Sequence, residues 1–220
     1  NDLTFKKIYN PSYDIYSIAT SSSGLICVAT DDYQGSVHVY SPNNSNPSKL
    51  YNYSVYYSVR EIASISDTEN EFVEAASNEL HYYKFSEGGN LISHTTTTVS
   101  SSSLNQKITV SPDNQYFLAH RNGVIYNKDL SVFKTLDNQN NNISYRDFVF
   151  SEDGQKLYSI DAFSQKIMAY SFPELELEKE IKLGYSPSQL FMDEDKLIVV
   201  GTGFHNPSSA YRSIFQVFDF

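Results

Sequence analysis

The sequence predicts an all-β protein, and three observations support this prediction. The 220-residue chain contains 18 Tyr and 14 Phe, and aromatic and β-branched residues favour the pleated, half-buried surface of a sheet. Ser, Thr and Asn are abundant, and Asn and Ser, together with Gly, are typical turn residues. Short runs of alternating apolar residues recur along the whole chain between polar turns, which is the pattern of half-buried strands.

A repeat of about forty residues organises these strands. In each unit a short apolar strand meets a polar turn, and a second apolar strand follows. Successive units start 44, 46, 40 and 42 residues apart, which is close to the length of one four-stranded propeller blade. The five segments are "IATSSSGLICVAT" from Ile18, "IASISDTENEFVEAA" from Ile62, "ITVSPDNQYFLAH" from Ile108, "FVFSEDGQKLYSI" from Phe148 and "LFMDEDKLIVVGT" from Leu190.

The remaining strands of each unit also recur. A third, aromatic-rich strand follows in every unit, at Ser36–Ser41, Glu79–Phe85, Gly123–Asn127, Lys166–Phe172 and Ser213–Phe220. A fourth strand follows in four units, as "KLYNYSV", "NLISHTT", "LSVFKTL" and "ELELEKEIKL". In the last of these, Leu175, Leu177, Ile181 and Leu183 alternate with charged residues. This period of two predicts an outer strand and not a helix.

The fourth strand of the fifth unit is expected at the other end of the chain, as "LTFKKIY" (Leu3–Tyr9). Pairing of this strand with the C-terminal blade closes a ring and removes the exposed sheet edge. We therefore predict one domain over residues 1–220, a five-bladed β-propeller with four-stranded antiparallel blades. A fragment of a larger propeller is the alternative.

Three segments carry a resemblance to a known group of proteins. "ITVSPDNQYFLA", "FVFSEDGQKLYS" and "KIMAYSFPELELEKEI" resemble the blades of WD40-like and YVTN-type β-propellers, in which a Ser-Pro-Asp-Gly turn joins the two inner strands. The Gly-His and Trp-Asp dipeptides of strict WD40 repeats are absent. The resemblance implies a propeller that serves as an interaction scaffold or as an extracellular bacterial surface protein.

Composition narrows the class of partner. The net charge of -10 with 16 scattered basic residues argues against nucleic-acid binding, which requires clustered Lys and Arg. No apolar run approaches the roughly 20 residues that span a bilayer, so we expect no transmembrane segment.

The single cysteine, Cys27, lies in the apolar run "LICVAT" and is expected to be a buried thiol. The high Tyr, Asn, Ser and Thr content favours a secreted or bacterial cell-surface protein over a cytoplasmic one, and we expect a monomer.

The candidate binding residues lie where the innermost strands begin. Tight turns such as "SEDG" occupy one face of the predicted ring, whereas the long connections, among them "TTTTVSSSS", "DNQNNN" and "GTGFHNPSSAYR", lie on the opposite face. Long loops on a rigid scaffold are common binding sites. Polar residues at the strand starts and aromatic or Arg residues of the loops are the candidates, namely Tyr16, Arg60, Glu61, Lys107, Tyr145, Arg146, Asp147, Tyr185, Phe204, Tyr211 and Arg212.

These features predict a non-catalytic module that presents its loop-rich face to a protein or an extracellular ligand. The alternative is a glycan-recognising or glycan-processing propeller that uses the carboxyls of Asp14, Glu61 and Asp147, since glycoside hydrolysis requires a pair of carboxyl groups. The polar residues at the strand starts also have a purely structural interpretation, in which they pair with one another across blades. The sequence shows no short zinc spacing and no phosphate-binding loop, so no metal and no cofactor are expected.

Overall fold

A computed structural model describes residues 14–30, 36–42, 48–52, 60–76, 79–99, 104–120, 123–136, 143, 145–204 and 211–219. In this part of the chain, nineteen strands form five antiparallel sheets, each built from strands that are consecutive in sequence. Sheet 1 consists of β1 (Ile15–Thr20), β2 (Ile26–Thr30), β3 (Ser36–Tyr40) and β4 (Ser48–Asn52). Sheet 2 consists of β5 (Arg60–Ser64), β6 (Asn70–Ala76), β7 (Glu79–Phe85) and β8 (Leu91–Thr98). Sheet 3 consists of β9 (Leu104–Val110), β10 (Tyr116–His120), β11 (Val124–Asn127) and β12 (Val132–Thr135). Sheet 4 consists of β13 (Tyr145–Phe150), β14 (Lys156–Asp161), β15 (Lys166–Ser171) and β16 (Leu177–Lys182). Sheet 5 consists of β17 (Ser186–Asp193), β18 (Lys196–Phe204) and β19 (Tyr211–Asp219).

The all-β prediction is confirmed, and so is the repeat of strand order. The Glu- and Leu-rich segment forms the edge strand β16, as its period of two predicted. The strand begins later than expected, because Leu175 lies in the preceding turn with a φ of 64°. The predicted strand at residues 3–9 lies outside the described residues, and sheet 5 has three described strands.

The polar turn of the repeat has a defined hydrogen-bonding pattern. In sheet 4 the Ser151 hydroxyl donates to Asp153 at 2.6 Å and accepts the Lys156 amide at 2.9 Å. Gly154 closes the turn by donating its amide to the Ser151 carbonyl at 3.0 Å, with a φ of 68° that glycine adopts without strain. Ser111 makes the same contacts in sheet 3, to Asp113 at 2.6 Å and from the Tyr116 amide at 3.0 Å. The repeated sequence therefore encodes a repeated turn.

The hydrophobic core lies between the sheets. The innermost strands β1, β5, β9, β13 and β17 contact one another in chain order. Four clusters of buried side chains fill the four spaces between consecutive sheets, and typical members are Phe72, Phe117, Leu157 and Leu197. Because sheets 2, 3 and 4 each contribute to two clusters, both faces of these sheets are buried.

Gly123, at the start of β11, occupies a position that excludes any side chain. Its φ is 68°, and an added Cβ would lie 2.9 Å from both Leu136 and Tyr145. Gly184 is a matched glycine, because nothing lies within 4 Å of the corresponding Cβ.

We expect Gly123→Ala to lower the free energy of unfolding by about 2 to 4 kcal/mol, from a strained backbone and an overpacked core. Gly184→Ala should change it by less than about 1 kcal/mol. Urea unfolding followed by circular dichroism measures both. Equal effects of the two substitutions would contradict the close packing of Leu136 and Tyr145 around Gly123.

Candidate functional site

Each innermost strand carries a polar residue at one repeated position, immediately before the first residue of the repeat. These five residues, hereafter the entrance ring, are Ser17, Glu61, Lys107, Asp147 and Gln189. The equivalent positions lie side by side, because Ser17 of β1 reaches β5. Its hydroxyl accepts the Ile62 amide and donates to the Ile62 carbonyl, both at 3.3 Å. We call the side of the sheets at which the innermost strands begin the entrance face.

Two carboxyls of the entrance ring make the same kind of contact. Glu61 of β5 accepts the backbone amide of Ile108 in β9. Asp147 of β13 accepts the Leu190 amide of β17 at 2.7 Å. In three of the four spaces between sheets, a side chain of the entrance ring thus binds the backbone of the next innermost strand. The structural interpretation of these polar positions is therefore well supported.

Lys107 connects three sheets. From β9 its ammonium group donates to Asp147 of β13 at 3.0 Å and lies 3.5 Å from the Leu190 carbonyl of β17. The same nitrogen lies 5.6 Å from the centre of the Phe191 ring, within the range of a cation–π contact. A side chain of sheet 3 therefore reaches sheet 5, so the innermost strands converge and do not lie in a flat row.

Glu61 is the unusual titratable group of the entrance ring. Burial raises its pKa to about 7, and the nearby Asp147 carboxylate adds to the increase. The Ile108 amide and the Lys107 ammonium group oppose this effect but do not cancel it. Near neutral pH, Glu61 therefore exists in both its protonated and its ionised form. Such perturbed carboxyls are common at functional sites.

The structure places four other predicted residues in two different environments. Tyr16 and Arg146 are exposed on the entrance face, and Arg146 donates to the Pro187 carbonyl at 3.3 Å. Tyr145 is fully buried between sheets 3 and 4, with its hydroxyl 3.4 Å from that of Tyr170. Tyr185 is buried between sheets 4 and 5. Tyr145 and Tyr185 therefore pack in the core and offer no surface to a ligand.

The other predicted residues have less structural description. Asp14 is exposed immediately before β1. Arg60, Phe204, Tyr211 and Arg212 have backbones within β5, β18 and β19, but their side chains lie outside the described part of the chain. The long connections "DNQNNN" and "TDDYQG" fall mostly outside it as well.

Sequence reasoning missed Phe163, which is 82% exposed. It lies in the turn between β14 and β15, and Asp161 at the start of this turn pairs with Tyr145 of β13, which places Phe163 on the entrance face. The Asp161 carboxylate fixes the turn by accepting the Phe163 amide at 3.0 Å and the Ser164 hydroxyl. Phe163 borders an open groove of about 420 Å³, lined also by Ile143, Asp161, Ser164, Lys166, Met168 and Glu180. A lone aromatic residue in the polar turn "DAFSQK" was the available signal.

A second charged cluster lies between sheets 2 and 3. Glu71 is buried, yet it binds Lys84 at 3.1 Å, the Tyr82 hydroxyl at 2.8 Å and Lys128. Burial alone would raise the pKa of Glu71, but these hydrogen bonds outweigh burial and lower it to about 2. Glu71 is therefore ionised throughout the neutral range, in contrast to Glu61.

Metal binding and membrane insertion find no support in the described residues. Within the ranges given above, no three His, Cys, Asp or Glu side chains are grouped so as to hold a metal ion. The same residues include no helix with the length and apolar character needed to cross a membrane. Comparison with known proteins gave no match, either to a protein-family model or to a curated protein.

The pKa of Glu61 makes stability depend on pH. The pKa of Glu61 in the folded chain, about 7, lies above the ordinary value of 4.5, because ionisation is less favourable in the folded chain than in the unfolded one. The contribution of protonated Glu61 to the free energy of unfolding is therefore complete below about pH 4.5 and is lost as the pH rises through 7. We expect Glu61→Gln to remove this loss and to increase the free energy of unfolding at pH 8 by about 1 to 2 kcal/mol, after allowance for partial exposure to water.

Urea unfolding at several pH values between 5 and 8.5 tests this expectation. Glu87→Gln, which makes the same chemical change in an exposed turn, is the control and should leave the wild-type pH profile unchanged. A Glu61→Gln profile parallel to that of the wild type would contradict the assignment.

Proposed function

We propose that the five sheets are consecutive blades of a β-propeller and that the chain is a non-catalytic binding module. The order of the sheets, the buried clusters between them and the reach of Lys107 from sheet 3 to sheet 5 support a curved arrangement around a common axis. Closure of a five-bladed ring requires contact between sheets 1 and 5.

The outer faces of these two sheets support closure. Ile18 of β1 is 57% exposed, and Phe215 and Val217 of β19 are 70% and 56% exposed. These residues occupy the apolar positions that are buried in the middle sheets, and burying each would contribute roughly 1.5 to 3 kcal/mol. Gln189 lies on β17, and in a closed ring the next innermost strand after β17 is β1. In a closed ring its amide faces the backbone of Ile18, which repeats the contact that Ser17 makes with Ile62.

In a closed ring, Phe215 of β19 is buried against sheet 1. We expect Phe215→Lys to lower the free energy of unfolding by about 2 kcal/mol or more, since it would place a charge in an apolar interface. Val132→Lys is the control, because Val132 is 59% exposed on the edge strand β12 and a surface change costs at most about 0.5 kcal/mol.

The measurement is urea unfolding combined with the mass of the particle by light scattering. A large cost for Phe215→Lys in a monomer supports the closed ring. Equal costs for the two substitutions would contradict it, and so would a dimer in which the wild-type chain buries this face against a second copy.

The binding role rests on one observation, the exposed Tyr16, Arg146 and Phe163 on a single face of a rigid scaffold. Aromatic residues and Arg are enriched among the energetically dominant residues of protein interfaces. The strands that carry Tyr16 and Arg146 are connected to their neighbours by the entrance-ring hydrogen bonds, so the backbone at this surface is already ordered and adds little to the entropy cost of binding. The partner that fits this surface best is a protein or peptide.

One observation favours the glycan alternative. Glu61 has a raised pKa, and the nearby Asp147 carboxylate contributes to this increase. Two carboxyls in different environments are the usual acid and base of sugar chemistry. However, the Asp147 carboxylate is already engaged by Lys107 and the Leu190 amide, so the non-catalytic role is the stronger proposal.

Selection from a displayed random-peptide library, together with binding and cleavage assays on an oligosaccharide array, tests the two roles. We expect enriched peptides, with affinities reduced at least tenfold by the combined substitution of Tyr16, Arg146 and Phe163 with Ala. The control combines Ala substitutions at Ile92, Val132 and Leu177, which are exposed on the outer strands β8, β12 and β16, and should bind normally. Peptide binding that survives in the first variant would move the site elsewhere, and cleavage of an oligosaccharide that requires Glu61 would establish the alternative.

A further inference from the structure

We propose that Arg146 binds a carboxylate group of the peptide partner at the entrance face. This inference rests on the proposed binding function and specifies the chemistry of its central contact. It depends on the position of Arg146, on its hydrogen-bond partners and on the charges around it.

Arg146 is exposed between two buried neighbours in β13, Tyr145 and Asp147. Because Tyr145 packs in the core and Asp147 is held by Lys107 and the Leu190 amide, the backbone that carries Arg146 is fixed on both sides. The Pro187 carbonyl of β17 accepts a hydrogen bond from the Arg146 Nη1 atom at 3.3 Å. This bond orients the guanidinium group and uses one of its five N–H donors.

The charge of Arg146 has no partner among the described carboxylates. No described carboxylate lies within 4.0 Å of its guanidinium group, whereas Lys107 on the neighbouring strand is neutralised by Asp147 at 3.0 Å. Among the described residues, Arg146 is thus an oriented cation without a carboxylate partner, on a chain whose net charge is -10. A guanidinium group with free parallel N–H donors fits a carboxylate through two hydrogen bonds.

The surroundings favour a carboxylate carried by a peptide. Tyr16, at the start of β1, and Phe163, in the β14–β15 turn of Arg146's own sheet, are exposed aromatic side chains on the same face. They suit the side chains that accompany a carboxylate in a peptide. The carboxylate has two sources in a protein partner, the C-terminus and the side chain of an acidic residue, and these can be separated by experiment.

Three tetrapeptides with an N-terminal dansyl group, which contains no carboxylate, are suitable probes. The first is Gly-Gly-Tyr-Leu with a free C-terminus, the second is the same peptide amidated, and the third is amidated Gly-Glu-Tyr-Leu. Fluorescence titration should show that the wild-type chain binds the first or the third peptide at least tenfold more tightly than the second. Preference for the first identifies the C-terminus as the source, and preference for the third identifies an acidic side chain.

Substitutions then test the role of Arg146 itself. We expect Arg146→Gln to weaken binding of the preferred peptide about tenfold, so that it binds no more tightly than amidated Gly-Gly-Tyr-Leu. Arg146→Lys keeps the charge but loses the planar guanidinium group, and it should have an intermediate effect. The matched control is Lys134→Gln. Lys134 is also an exposed cation held by a backbone carbonyl, that of Pro173 at 2.8 Å, on the edge strand of sheet 3, and its substitution should change affinity less than twofold.

Equal binding of all three peptides by the wild-type chain, no binding of any probe at millimolar concentration, or unchanged binding of the preferred peptide by Arg146→Gln would each overturn this inference. The proposed function fails separately. If library peptides lose affinity when Tyr16, Arg146 and Phe163 are replaced together but keep it in Arg146→Gln alone, the binding module stands and the carboxylate contact does not.

Discussion

The structure depends on the contact between each innermost strand and the next. A four-stranded sheet with two apolar faces is not stable in water by itself, because both faces must be buried against other elements. Here the sheets bury each other in chain order, and the clusters that contain Phe72, Phe117, Leu157 and Leu197 lie between them. Stability is therefore shared between neighbouring sheets, as in other repeat proteins.

Polar contacts at the same interfaces fix the alignment that apolar packing leaves adjustable. Hydrophobic burial is not directional, so it does not determine how far one sheet slides along the next. The hydrogen bonds between the Ser17 hydroxyl and the Ile62 backbone, and from the Leu190 amide to the Asp147 carboxylate, do determine it. These bonds also hold rigid the backbone from which Tyr16 and Arg146 project, which links the stability of the array to the geometry of the candidate surface.

Glu61 and Glu71 show how strongly the environment controls one residue type. Both carboxyls are partly removed from water, but Glu71 receives hydrogen bonds from Lys84, Lys128 and Tyr82, whereas Glu61 is influenced by the Asp147 carboxylate and shares Lys107 with it. One carboxyl is therefore a permanent anion of the scaffold, and the other titrates near neutral pH. Glu61, unlike Glu71, therefore makes the stability of the folded chain depend on pH near neutrality.

The sequence by itself determined the strands, their order, the Ser-x-Asp turn at Ser111 and Ser151, and the equivalence of the five entrance-ring positions, because these follow from local periodicity and turn chemistry. It also named Tyr16 and Arg146 as candidates, and both side chains are exposed at the strand starts. Only the tertiary structure decided that Tyr145 and Tyr185 pack in the core. It also decided that Asp147 forms an ion pair with Lys107 and that Phe163 is exposed on the entrance face. Burial and pairing depend on residues some forty positions away in sequence, and a repeat pattern shows which positions are equivalent without showing what each one contacts.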